Sequence, residues 1–311
     1  MMEKAAKILV VGHNDIIEKA LLEYLLAEGF TNVMSTSQLA LDCAIQSTVY
    51  DFFQTHRPDY IYLGSTRSGG IQANRERPAD FAHHNLQSAS NVFYAAHKFA
   101  AKKVLYYASS CVYPREAPQP MRPEQILTGP LEPTSQPYAL AKLSGMALAR
   151  GFRRQYGLKT VVMIPATVYG PGVEESRENS HVIGALIPKF VEAVRLQQKS
   201  VTVWGSGTPR REFLYRDDFC AASRLLMEQY EGEDVVNVGA GEDVSIAELA
   251  GMIARAAGFE GEIELDASKP DGAPRKLLDI QTILEMGWRS ATALPVGIQH
   301  TVNWYKKEVA A

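Results

Sequence analysis

Cysteine, net charge and long apolar runs are all scarce in this 311-residue chain, and each shortage removes a class of function. Cys43, Cys111 and Cys220 are its three cysteines, and they show no paired metal-ligand spacing. Asp217 and Asp218 lack histidine or carboxylate partners at metal spacing, so no metal site is expected. The formal net charge is -3 and the basic residues are dispersed, which leaves nothing global to attract nucleic acid or an anionic membrane. No stretch approaches the roughly 20 apolar residues of a membrane span. The N-terminus lacks the basic start and apolar run of a signal peptide. A reducing, cytoplasmic setting is therefore expected, with no nucleic acid and no membrane partner. Internal repeats and low-complexity linkers are missing too. What remains is 46% hydrophobic and 22% charged, enough for one large or two coupled domains with a substantial core.

Strand and helix patterns alternate through the first half. Strands are expected over 7–11, 32–35, 60–63, 103–108 and 160–164. Helices are expected over 16–28, 48–55, 79–99 and 137–156, the first with Ile17, Leu21, Leu22 and Leu25 on one face. This spacing predicts an α/β fold, a Rossmann-like doubly wound parallel sheet with right-handed crossovers. After Pro165 the order loosens, and glycine and proline cluster in "YGPGVEE" and "WGSGTPRREF". A smaller C-terminal lobe carrying substrate contacts is expected there. The expected division is a dinucleotide-binding domain over 1–165 and a mainly substrate-binding domain over 166–311, with interleaving between them left open.

The stretch "VLYYASSCVYP" ends a predicted strand at Ser109, Ser110 and Cys111. Ligands of open α/β sheets bind beyond the carboxyl ends of strands, so polar residues there are placed for chemistry. In "PYALAKLSG", Tyr138 and Lys142 stand four apart on a predicted helix and share a face. An ammonium near a phenol favours phenolate. Such a tyrosine can donate a proton to an alkoxide as hydride reaches a carbonyl, while a nearby serine hydroxyl hydrogen-bonds the same oxygen. Taken alone, the pair is also explained by a packed tyrosine and a solvated lysine. The serine-ended strand and the alternating fold favour chemistry.

In chain order, "GGIQANRERPADF", "SSCVYP", "LEPTSQPYALAK", "NSHVIGALIPKF" and "VWGSGTPRREFLYRDD" resemble the blocks of the extended short-chain dehydrogenase/reductases. Within that superfamily they are most similar to the GDP-L-fucose synthase group, the GDP-4-keto-6-deoxy-D-mannose 3,5-epimerase/4-reductases. The resemblance implies reductase roles for Ser109, Tyr138 and Lys142. It implies an epimerisation pair, with Cys111 as base and His181 as acid. It assigns Lys189, Trp204 and Arg211 to the nucleotide-sugar substrate; Lys189 stands where the group has an arginine, keeping the charge but losing the planar donor fork. It assigns Gly12, Asn14, Ile16, Asp42, Tyr138 and Lys142 to the cofactor, NADP(H). It further implies a GDP-linked substrate and a homodimer through helices 79–99 and 137–156, where small Ala139, Ala141 and Gly145 would allow close approach.

The opening turn departs from that pattern. The group begins G-H-x-G-x-x-G, whereas this chain reads "GHNDIIE". Asn14 replaces a usual arginine, and Asp15 and Glu18 replace the second and third glycines. Both carboxylates are expected to face a phosphate at the helix start, with Glu18 crowding the helix–sheet contact. "MSTSQ", after the second strand, adds no basic residue for a 2'-phosphate. NAD(H), or no exchangeable cofactor, stays open beside NADP(H). Three accounts follow: an epimerase/reductase, a nucleotide-sugar epimerase without the usual reduction, and a non-catalytic nucleotide-sugar-binding homologue or partner subunit.

Overall fold

Alternating apolar strands and amphipathic helices assemble around one parallel sheet. The computed structural model describes residues 1–13, 15–64, 67, 69–173, 181–269 and 271–308. Strands β1 (Lys7–Val11), β2 (Asn32–Ser35), β3 (Tyr60–Leu63), β4 (Lys103–Tyr107) and β5 (Lys159–Pro165) alternate with helices α1 (Ile16–Ala27), α2 (Gln46–His56), α3 (Ile71–Glu76), α4 (Pro78–Lys98) and α5 (Gln136–Tyr156). The C-terminal half supplies β6 (Thr167–Tyr169), β7 (Ser200–Trp204), β8 (Arg210–Arg211), β9 (Phe213–Tyr215), β10 (Val235–Val238), β11 (Val244–Ser245), β12 (Glu262–Asp266) and β13 (Arg275–Lys276). Its helices are α6 (Val182–Arg195), α7 (Arg216–Gln229), α8 (Ile246–Ala257), α9 (Gln281–Glu285) and α10 (Leu294–Glu308).

The six-stranded sheet runs β10-β5-β4-β3-β1-β2, with parallel pairing at each step. Strand order reverses at β1 and β3, and the crevice of an open α/β sheet lies at such a switch. All five residues of β4 are buried, as expected where helices cover both faces. The sixth strand, β10, comes from beyond residue 165. The sequence did not mark it as part of this sheet, because the register that joins Val235 to Val162 is set by tertiary pairing.

Helix α5 lies hard against β4. A Cβ on Gly145 would come 2.2 Å from the Tyr106 hydroxyl. Ala139 and Ala141 are also fully buried within this one chain. Gly145, expected to admit a second subunit, instead admits Tyr106 of the chain's own sheet, and Ala139 and Ala141 are covered without a partner chain. A second core joins α6, α8 and α10 through Ile187, Phe190, Leu249, Ile253, Ile298 and Val302. Buried Asp218 on α7 accepts hydrogen bonds from Ser290 Oγ and from the amides of Ala291 and Thr292, tying the approach to α10 onto α7. Among the described residues no helix is long and apolar enough to cross a membrane, and no group of three histidine, cysteine or carboxylate side chains is arranged to hold a metal.

Candidate active site

Beyond the end of β4 the chain turns sharply, because the Ser109 hydroxyl caps the next turn by accepting the Cys111 amide at 3.2 Å. This turn sets Cys111 against a segment far away in sequence. The Lys276 ammonium donates to the Cys111 sulfur at 3.6 Å. Burial pushes the thiol's pKa up, but the Lys276 charge and hydrogen bonds involving Ser109, Ser135 and Lys276 outweigh it and hold the thiol below its ordinary value. The other cysteines behave oppositely. Cys43 and Cys220 are buried and their thiols are pushed up, Cys43 to about 12.

Backbone pairing holds Lys276 in place. Met121 donates its amide to the Leu277 carbonyl, Asp279 returns one to the Met121 carbonyl, and Gln119 accepts from the Leu277 amide. Buried Glu212 completes this strap, accepting from the amides of Leu278 at 2.9 Å and Gly241 at 2.7 Å. Burial raises the Glu212 carboxyl to about 7 against the pull of those amides. Ser110, Met121, Thr167, Arg211, Glu212 and Lys276 are among the residues lining a small cavity beside Cys111.

On the α5 side, Lys142 is buried and donates to the Tyr107 carbonyl at 2.8 Å. Its ammonium lies 5.9 Å from the centre of the Tyr138 ring. Burial pushes its pKa down to about 7, with Asp15 pulling the other way. His181 stands at the N-terminal boundary of α6 but makes no capping hydrogen bond. Its ring is pushed below the ordinary histidine value by desolvation and then by Lys276, with Asp15 again opposing. Lys276 therefore acts on both Cys111 and His181, and Asp15 on both Lys142 and His181. Sequence reasoning missed Lys276, Ser135 and Glu212. Ser135 lay inside a quoted block; Lys276 is separated from Cys111 by 165 positions and carried no local signal.

The residues assigned to nucleotide sugar lie on the second half. Trp204, at the end of β7, is 60% exposed, with the ammonium groups of Lys189 at 5.6 Å and Lys269 at 5.4 Å from its ring. Lys189 also donates to the Thr202 carbonyl. Gly205 and Gly207 take φ of +92° and +76°, the left-handed turn that glycine permits. Arg211 is half-buried in the cavity wall. Its neighbour Arg210 is taken up by Asp243 and Glu248.

The opening turn differs from expectation. Asp15 caps α1, accepting the Glu18 amide at 2.9 Å. Glu18 does not face the helix start. Its side chain is buried and turned to the end of β2, where it accepts from Thr36 Oγ1 at 3.2 Å and from the Ser37 amide at 2.9 Å. A Cβ on Gly12 would lie 2.6 Å from that of Glu18, so the glycine is what leaves room for the glutamate. Asn14 lies outside the described residues. Asp42 is exposed and closes a local turn by accepting the Ala44 amide. The first turn of a helix presents amides that need partners, and the described residues supply no acceptor to those of Ile16 and Ile17. A dinucleotide pyrophosphate fits there.

Comparison with known proteins agrees with this arrangement. Residues 8–239 match the model of the NAD dependent epimerase/dehydratase family. The chain is 41% identical over 309 residues to GDP-L-fucose synthase 1 of Arabidopsis thaliana, covering 99% of this chain and 96% of that one. It is 40% identical over 308 residues to GDP-L-fucose synthase of Escherichia coli strain K12, covering 96% of each. A solved GDP-mannoheptose C4 reductase from Campylobacter jejuni with NADP bound superposes with a TM-score of 0.89 at 30% identity, over 99% of this chain and 100% of that one.

Proposed function

The chain belongs to the NAD dependent epimerase/dehydratase family, and we propose that it epimerises and reduces a GDP-linked 4-keto-6-deoxyhexose. The observation that carries this reading is the Cys111–Lys276 contact beside Ser109, a thiol held toward its anionic form at the mouth of a reductase-type strand. A ketone at sugar C4 acidifies the protons at C3 and C5. Cys111 removes such a proton, and Ser109 and Tyr138 hydrogen-bond the enolate oxygen at C4. His181 returns a proton on the opposite face. NADP(H), the cofactor seen with the Campylobacter relative, supplies hydride to C4 when bound. Tyr138 then donates its phenolic proton to the C4 oxygen, and Lys142 favours the resulting phenolate. Lys189, Trp204 and Arg211 hold the diphosphate and base. The protein pairs as a homodimer across α4 and α5, supported by the apolar side chains these helices leave exposed, Leu86 and Tyr94 on one and Leu140 and Tyr156 on the other.

The test is incubation with GDP-4-keto-6-deoxymannose in deuterated water. Without cofactor, deuterium enters C3 and C5; with NADPH or NADH, the C4 ketone is reduced. Exchange without any reduction would select the epimerase reading, which the Asp15 carboxylate on the helix cap favours. Neither reaction would remove the proposed substrate.

A further inference from the structure

In dinucleotide-binding folds the adenosine ribose is read at the carboxyl end of the second strand, where an acidic residue about 20 positions past the glycine turn hydrogen-bonds the 2'-hydroxyl. Here that place is Thr36 and Ser37, neither of them acidic. A carboxylate is nevertheless present there, delivered from the opposite side. Glu18, in the first turn of α1, reaches across from the third-glycine position, and Thr36 and Ser37 grip its Oε1. Thr36 also bonds both the amide and the carbonyl of Gly12, so the turn, the carboxylate and the end of β2 form one unit. Opposing cations are missing from this stretch of sequence. Residues 29–56 contain no lysine or arginine.

We propose that Glu18 sets cofactor choice at the adenosine ribose, so that the site holds NAD(H) at least as tightly as NADP(H). This rests on the dinucleotide half of the proposed function. A ribose diol donates hydrogen bonds and carries no charge, so an anion at the end of β2 suits it. A 2'-phosphate carries up to two negative charges at neutral pH. It lies against the buried Glu18 carboxylate, where screening is weak. Asp15, a second carboxylate in the same turn, adds to the negative potential. The sequence departure that looked like a damaged phosphate loop is on this view an acid ribose reader supplied from the helix instead of the strand.

Nicotinamide-fluorescence titrations of the full chain with NADH and with NADPH test the proposal, with GDP binding followed in parallel by calorimetry. The wild type is expected to bind NADH as tightly as NADPH or more tightly. Glu18→Gln keeps the shape and an acceptor for Ser37 while removing the charge; it is expected to shift preference toward NADPH by about tenfold. Ser37→Arg, which places a cation at the exposed end of β2, should shift preference the same way without disturbing α1. Thermal melts of both variants show that they fold. Wild-type preference for NADPH by tenfold or more, or no change of preference in both variants, overturns the role of Glu18 while leaving dinucleotide binding intact. Binding of GDP with neither dinucleotide overturns it along with the cofactor half of the proposed function.

Discussion

At residue scale the site is a set of charges that tune one another. Lys276 lowers the pKa of both Cys111 and His181, so removing its charge moves both upward. Exchange catalysed by a cysteine base and a histidine acid needs thiolate and imidazolium together, so its pH profile is a bell whose two limbs are set by these two groups. Lys276→Met is therefore expected to displace both limbs of the C3/C5 exchange profile to higher pH, whereas a lysine that only braced its strand would leave the limbs in place. Iodoacetamide gives a readout independent of turnover. Cys43 and Cys220 are buried, so alkylation of the folded protein reports Cys111, and its rate at pH 7 should fall several-fold in Lys276→Met. Tyr138→Phe removes one oxygen atom. It should abolish C4 reduction, a loss of at least about a hundredfold in rate, while exchange at C3 and C5 persists at a reduced rate, with Ser109 left to hold the enolate oxygen. Wild-type reduction by this variant would take Tyr138 out of the chemistry.

Among the elements, the strap carrying β13 depends on Glu212. Its carboxyl takes up a proton near pH 7 in the folded chain and near 4.5 in the unfolded one, so the folded state binds more protons between those values. The associated stability is complete below about pH 4.5 and is lost as pH rises through about 7. The full swing has an upper bound of about 3 kcal/mol, at roughly 1.4 kcal/mol per unit. Melting temperatures from pH 5 to 7.5 should fall more steeply for wild type than for Glu212→Gln; parallel curves would show that Glu212 does not titrate there. The sequence made the main elements legible, because apolar alternation and helix periodicity are local. Strands β1, β2 and β3 have the expected bounds, and α5 differs by one residue. The addition of β10 to the sheet and the docking of β13 beside Cys111 were illegible, since both depend on partners far off in the chain. Within the candidate site, Tyr138 and Lys142 were singled out by helical spacing. Lys276 had no such spacing to betray it, and the direction of the Glu18 side chain depends on Thr36 being one strand away.

For the whole molecule, the pairing proposed across α4 and α5 is open to direct test. Light scattering at micromolar concentration should give twice the 34.3 kDa chain mass. Leu140→Glu, on the exposed face of α5, should yield monomers that keep their fold. A monomeric wild type would remove the dimer. The placement of Lys276 also has a consequence in time. During synthesis Cys111 leaves the ribosome long before Lys276 exists, and until the strap has docked its sulfur lacks the ammonium that favours thiolate. Nascent or truncated chains thus carry an ordinary, sluggish thiol, and the sulfur becomes reactive when the last part of the site closes over it. The reactivity of one cysteine is then a clock for the completion of folding.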